Sequence, residues 1–270
     1  MKITTYGGLS VISAFSTGIG ASASIDLKMS VSIEEESKSA YPQSVKKTIK
    51  FLELKYGKPF DYSIKIESEI PPAVGLKSSS ALTSAIVLSY LKMNDISVSE
   101  PGAIIAEASR YNHTSATGAL DDASCSINGG LCVSDNNKDK IIKMTKLKEI
   151  DILICWPRDK IRNSYEMMSK KMSVLGRSVN RLLDLLDSGK IYETMVLNGL
   201  IFGSYLESDF IPCGKMYSLG ASYSSYSGKG PAIFSIFEDR DILLRAREEF
   251  NMTGYEIIET RFNNKPAKVE

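Results

Sequence analysis

Three short segments hold residue types that could do chemistry. The first is Pro72-Ala73-Val74-Gly75-Leu76-Lys77-Ser78-Ser79-Ser80-Ala81, which leads into a helical stripe of Leu82, Ala85, Ile86, Ser89, Tyr90 and Met93. A helix N-terminus offers unpaired N–H groups and a partial positive charge, and together these bind phosphate. Gly75 permits close backbone approach, Lys77 adds a cation, and the hydroxyls of Ser78, Ser79 and Ser80 can donate to phosphate oxygens or ligate Mg²⁺. The competing reading is an ordinary serine-capped helix. The second segment is Thr117-Gly118-Ala119-Leu120-Asp121-Asp122-Ala123-Ser124. Adjacent carboxylates repel, so they persist where they are solvated or serve a metal or a proton; a loop or N-cap pair is the alternative. Upstream, Glu107 shares a helical face with Ile104, Ala108 and Tyr111, so it needs a cation or a metal, unless it pairs with Arg110. The third segment, Ser225 to Phe234, is a glycine-containing turn running into an apolar strand, a weak signal by itself.

Much else is excluded. His113 is the only histidine, which removes designs built on His ligands or a Ser-His-Asp triad, and it reads as a surface or loop residue. Cys125, Cys132, Cys155 and Cys213 lack metal-ligand spacing, and a disulfide framework is implausible in 270 residues, so reduced thiols and a cytoplasmic location are expected. No GxxxxGK[ST] pattern occurs. Gly18-Ile19-Gly20-Ala21-Ser22-Ala23 fits a dinucleotide fingerprint, but alternation follows where that motif needs a helix, so a tight turn is the better reading. A net charge of +1 gives no bulk attraction to nucleic acid or an anionic membrane. No apolar run reaches the roughly 18 residues of a membrane helix. The N-terminal stretch faintly resembles a signal peptide ending at Ala21-Ser22-Ala23, but Thr4, Thr5, Gly7, Gly8, Ser10 and Ser13 interrupt it too often.

The elements that must position these residues follow from periodicity. Ala21, Ala23, Ile25, Leu27, Met29, Val31 and Ile33 alternate, which predicts a half-buried strand. Val45, Ile49, Leu52 and Tyr56 predict a helix stopped by Gly57-Lys58-Pro59, and Tyr62, Ile64 and Ile66 a second strand. Ser99 reads as an N-cap, with Pro101 in the first turn, of a helix through Tyr111. Residues 131–134 and 140–144 read as a hairpin, and 150–156 as a strand. Helices are expected over 163–172, 178–187, 191–206 and 239–250, and strands over 232–237 and 255–262. A sheet-rich first half and a helix-rich second half predict an α+β protein of two lobes, 1–150 and 151–270.

In this order, the pieces resemble the GHMP kinase superfamily. Pro71 to Ser80 matches its Pro-x-x-x-Gly-Leu-x-Ser-Ser phosphate loop, Thr117-Gly118 precedes Asp121 as a small-Gly pair precedes its catalytic Asp, and Ser227 to Ala232 matches its C-terminal glycine motif through Ser227, Gly228 and Gly230. Gly75 to Ala81 with its Lys77, Thr117 to Ser124, Ser16 to Ala21, Ile25-Asp26-Leu27 and Gly129-Gly130-Leu131 resemble the archaeal-type shikimate kinase family. That resemblance implies a two-lobed fold: an N-terminal ATP-binding lobe, a C-terminal ferredoxin-like lobe and an active site between them. It implies ATP and Mg²⁺, shikimate as the small-molecule partner phosphorylated at its 3-hydroxyl, and a place on the way to chorismate and aromatic amino acids. Neither nucleic acid nor membrane is an expected partner, and a homodimer stays open. The loop at 72–81 would cradle the phosphates, Ser79 and Glu107 would hold Mg²⁺, and Asp121 would orient or deprotonate the hydroxyl, while alignment on the downstream Gly-Gly selects Asp122. Thr17, Asp26, Arg110, Arg158 and Arg162 are the candidate readers of shikimate. Some relatives carry an assisting Lys in the first motif; residues 8–27 contain none.

Overall fold

A computed structural model of the chain describes residues 1–34, 41–159 and 172–270. Its longest strand is β2 (Ile19–Glu34), antiparallel to β1 (Lys2–Ile12) on one edge. On its other edge β2 pairs first with β4 (Leu131–Asp135) through residues 19–23, then with β3 (Ser63–Ser68) through residues 29–34. With β5 (Lys140–Thr145) beyond β4 and β10 (Lys268–Val269) beyond β1, these form a six-stranded sheet. A second, four-stranded antiparallel sheet has the order β7 (Tyr223–Tyr226), β8 (Ile233–Ile236), β6 (Asp151–Pro157), β9 (Tyr255–Arg261).

Helices α1 (Gln43–Tyr56), α2 (Ser78–Met93), α3 (Pro101–Tyr111) and α4 (Leu120–Asn128) cover the first sheet. Leu52, Tyr90, Ile105 and Ala108 pack there with Ile3 and Val31, all buried. The 3.6-residue spacing of Val45, Ile49 and Leu52 turns one stripe of α1 inward, and Gly57 closes the helix in a left-handed C-cap. Another core joins the two sheets, with Leu9, Ile25, Phe234 and Phe262 meeting α5 (Gly176–Asp187) and α6 (Ile191–Tyr205) through Val179, Met195 and Phe202. A further cluster under the second sheet seats Leu153, Cys155 and Ile233 on Met216 of α7 (Ile211–Ser218) and Leu243 of α8 (Arg240–Glu249).

The structure departs from the sequence reading in four ways. The interrupted N-terminal stretch is a strand buried almost throughout, because α2, α4 and α6 pack against it. The serines on the polar face of β2, Ser22, Ser24 and Ser30, are buried too, each in a side-chain hydrogen bond. The stretch from Thr114 to Gly130, rich in Gly, Ser, Thr and Asp and expected as irregular chain, contains helix α4, and Glu100 rather than Ser99 is the N-cap of α3. The expected second lobe does not keep its own tail: β10 pairs with β1, so residues 268–269 belong to the first sheet. The helix expected over 163–172 lies outside the described residues except for Met172, which begins a 3-10 turn, Met172–Leu175.

Candidate active site

The 72–81 segment forms a tight turn before α2. Its outward carbonyls are taken by neighbours: Gly8 N donates to Leu76 O at 3.2 Å, Ala232 N to Val74 O at 2.8 Å, and Ser227 Oγ to Gly75 O at 3.0 Å. Val74 and Leu76 are buried as anchors. Gly75 has φ +95°, and a Cβ there would stand 3.0 Å from Gly230 O, so the third glycine segment is packed directly on the phosphate-type loop. Lys77, the N-cap of α2, has φ 63° and makes no side-chain capping bond, and the first turn of α2 carries no acid. The first N–H groups of α2 are therefore uncapped by any side chain, which argues for the anion-binding reading over simple serine capping.

Lys77 does not reach out with the loop. Its ammonium turns inward, 3.0 Å from Asp122 Oδ1 and donating to Ser10 Oγ at 2.6 Å. Burial alone would lower its pKa, but the charges of Asp122 and Asp121 outweigh that and hold it above the ordinary lysine value. The basic partner that residues 8–27 lack thus comes from the loop itself.

The two adjacent carboxylates have different surroundings. Asp121 is 4% exposed, accepting from Asn136 Nδ2 at 2.9 Å and from Ser22 Oγ at 2.8 Å. It lies so close to β2 that a Cβ on Gly20 would stand 2.6 Å from Asp121 Oδ1. Burial pushes the Asp121 carboxyl up to about 6, Asp122 adds to the rise, and Lys77, Asn136 and Ser22 oppose it. Asp122 takes Lys77 and Ser22 Oγ on the one oxygen Oδ1, the serine at 2.5 Å. Ser22 has one proton, so it donates to only one of these carboxylates at a time.

The two residues expected to hold a metal have these neighbours in the fold. Glu107 finds its cation in Lys55, 2.7 Å away near the end of α1, and not in Arg110. Ser79 instead borders a small cavity with Ser44, Val45 and Thr48 of α1 and with Thr114. Among the described residues no group of three His, Cys, Asp or Glu could hold a metal. The hard donors at the helix mouth are hydroxyls, which suits a Mg²⁺ that arrives on a nucleotide and keeps phosphate and water ligands.

Of the candidate substrate readers, Thr17 and Arg110 adjoin the residues around Asn136, Thr17 O accepting from Asn137 Nδ2 at 3.3 Å and Arg110 Nη1 donating to Thr117 O at 3.2 Å. Thr17 lies in the β1–β2 connection, its Oγ1 accepting from Ile19 N at 3.2 Å, with the start of α5 beside it. Asp26 is four residues beyond Ser22, about 13 Å along the strand, and so is removed from the carboxylate pair. Arg110 forms a two-pronged pair with Asp139, at 2.9 and 2.5 Å. Arg158 pairs with Glu256 on the exposed end of the second sheet. Arg162 lies outside the described residues, and His113 is exposed in a loop. Sequence reasoning missed Ser10, Ser22 and Asn136. Ser22 was legible only as part of a glycine-rich turn, and Asn136 only as hairpin-turn composition.

Residues 43–130, which carry both helix mouths, match the GHMP kinases N terminal domain family. The crystal structure of Methanococcus jannaschii mevalonate kinase superposes with a TM-score of 0.77, covering 97% of this chain and 98% of that one at 15% identity, a likeness of fold. The shikimate kinase of Pyrococcus abyssi is 30% identical, covering 90% of this chain and 93% of that protein. That of Thermoplasma acidophilum is 37% identical, covering 98% of this chain and 95% of that protein. With near-complete coverage at that identity, and with the loop and carboxylates in place, the chain belongs to the archaeal-type shikimate kinases of the GHMP kinase superfamily.

Proposed function

We propose that this kinase transfers the γ-phosphate of ATP to the 3-hydroxyl of shikimate, giving shikimate 3-phosphate and ADP. The carrying observation is the 37% identity to the Thermoplasma acidophilum shikimate kinase along nearly the whole of both chains. Phosphoryl transfer is chiefly positioning and charge stabilisation, so a site without histidine is sufficient.

The open mouth of α2 binds the nucleotide's phosphates through backbone N–H groups and the Ser78–Ser80 hydroxyls. Mg²⁺, when bound with ATP, neutralises phosphate charge, and Ser79 is its protein ligand in this reading. Glu107 is not assigned to it, because that carboxylate is paired with Lys55.

Asp122 is the proposed base, ahead of Asp121. Both Asp121 oxygens are engaged by Asn136 and Ser22, whereas both contacts of Asp122 fall on Oδ1. Lys77 orients Asp122 through its contact with Oδ1, and Ser22 lies between the two carboxylates. Asp122 then accepts the hydroxyl proton as the acceptor oxygen attacks phosphorus. Thr17 is the residue kept on the acceptor side.

Coupled ADP release separates the acceptors. Shikimate should support turnover with Mg²⁺-ATP, while homoserine and mevalonate should not. A site that bonds each shikimate hydroxyl rejects analogues lacking one, because its polar groups are left unpaired. Equal or faster turnover on either control sinks the assignment.

A further inference from the structure

Lys229 is a lysine that neither the phosphate loop nor the carboxylate pair uses. It sits in the turn between β7 and β8 (the third glycine segment), which is docked on the nucleotide side through Ser227 Oγ to Gly75 O and Ala232 N to Val74 O. The residue before it, Gly228, lies against Ser10: a Cβ there would stand 2.7 Å from Ser10 Oγ, the atom that accepts from Lys77. The Lys229 ammonium itself stands 5.5 Å from the centre of the Phe15 ring, two residues from Thr17 on the acceptor side. The side chain therefore spans from the loop that holds phosphates toward the strand connection that borders the acceptor.

Its charge is unmatched. Among the described residues no carboxylate forms an ion pair with Lys229, and the Phe15 ring faces its ammonium. Desolvation and the neighbouring Lys77 ammonium both lower its pKa, with Asp122 opposing them. Lys77 already has Asp122 as its counter-ion. A half-buried ammonium beside a second ammonium is costly unless an anion joins it. A cation–π contact compensates only about 1 kcal/mol of that. A ligand's anion placed between the loop and the acceptor would supply that charge.

We propose that Lys229 binds the oxyanion of the transferring γ-phosphoryl group, making it a catalytic residue contributed by the second lobe. This rests on the kinase reading above. In the step it assists, the acceptor oxygen bonds to the γ-phosphorus as the bond to the β–γ bridging oxygen breaks. The bridging electron pair stays on ADP, and the hydroxyl proton goes to Asp122. Lys229 changes no bond; it follows the equatorial oxygens from donor to acceptor, where charge is spread in the transition state. Its placement also makes the second sheet part of the active site through one side chain.

The test uses the full chain with Mg²⁺ and two nucleotides, ADP and the non-hydrolysable methylene analogue of ATP, measured by calorimetry. Only the analogue carries a γ-phosphate. Lys229→Met should cut analogue affinity about ten- to hundredfold and leave ADP affinity within about threefold, while Lys229→Arg restores the difference. With shikimate as acceptor, kcat of Lys229→Met should fall about a hundredfold or more. An unchanged ratio of analogue to ADP affinity in a folded Lys229→Met protein overturns the proposal. So does a loss confined to the shikimate KM with kcat retained, which would give the ammonium to the acceptor's carboxylate. The nucleotide measurement needs no acceptor. Wild-type failure on shikimate would therefore sink the acceptor assignment, and the affinity ratio would still decide on Lys229.

Discussion

The mouths of α2 and α4 begin alike and are used differently. Each helix starts from a left-handed residue, Lys77 with φ 63° and Ala119 with φ 51°, and neither N-cap makes a side-chain bond. Both present a partial positive charge, although at α4 the first N–H, that of Leu120, already donates to Asn136 Oδ1 at 3.2 Å. The first turn of α4 carries Asp121 and Asp122, so its own chain supplies the anions. The first turn of α2 carries three serines and no acid, so its anion must come from outside. The Lys77–Asp122 pair ties one mouth to the other. A helix terminus by itself does not specify a phosphate site; what its first turn leaves unfilled does.

The largest expected effect comes from removing the charge at the α4 mouth that faces the acceptor. Asp122→Asn should lower kcat about a thousandfold, within the range seen for general-base removal, and leave nucleotide affinity within a few-fold. ADP release and equilibrium nucleotide binding read the two effects separately. If Asp121→Asn is the damaging change and Asp122→Asn is mild, the roles of the two carboxylates exchange.

Crowding the α2 mouth should do the reverse. Gly75→Ala places a Cβ 3.0 Å from Gly230 O at a backbone φ of +95°. Strain of about 1–3 kcal/mol and a displaced loop should raise the KM for ATP at least tenfold, with a smaller change in kcat. A Gly75→Ala enzyme with normal ATP dependence would show that the loop does not hold the phosphates.

Asp121 permits a test of stability apart from activity. Its carboxyl titrates at about 6 in the fold against 3.8 unperturbed, so the native state binds more protons than the unfolded chain between those values. Stability then falls as pH rises through that window, and above it the buried charge opposes folding. Asp121→Asn keeps a group able to accept from Asn136 and to donate to Ser22. Relative to wild type, it should gain on the order of 1–2 kcal/mol at pH 7.5 and nothing at pH 3.5, read from urea midpoints at each pH. A gap that is the same at both pH values would mean that Asp121 is not held protonated by the fold.

The part of this site that could be read from sequence is the part that is local in sequence. The 72–81 loop and the stripe of α2 lie within two dozen residues, so spacing alone showed a helix mouth with hydroxyls. The ion pair between Lys77 and Asp122 spans 45 positions and the Ser22–Asp121 bond 99, and no periodicity connects them. Strand β1 was hidden for a related reason. Gly7 and Gly8 break its hydrophobic run, but a Cβ on Gly7 would stand 3.1 Å from Leu76 O, and one on Gly8 3.1 Å from Cys125 Sγ. Small residues there let α2 and α4 approach the sheet, so packing overrides the strand pattern. Helix α4 is nine residues long, and Ser124 and Ser126 are buried in it, so composition alone disguised it as loop.

Glu107 gives the smallest effect and sharpens what the α2 mouth needs. A carboxylate on an apolar helical stripe demands a partner, and a metal was one candidate. Its partner is Lys55, in a pair whose side chains are 39% and 32% exposed. Solvent screens such a pair, so Glu107→Gln should cost below about 1 kcal/mol in a urea titration. Because Glu107 is paired with Lys55, the same substitution should leave the Mg²⁺ dependence of ADP release unchanged. Ser79→Ala, by contrast, should shift that dependence to higher Mg²⁺, since a nucleotide-borne ion would lose its one protein hydroxyl. If Glu107→Gln shifts the Mg²⁺ curve as far as Ser79→Ala does, then nucleotide binding must draw Glu107 away from Lys55, and the α2 mouth would need an acid from α3 after all.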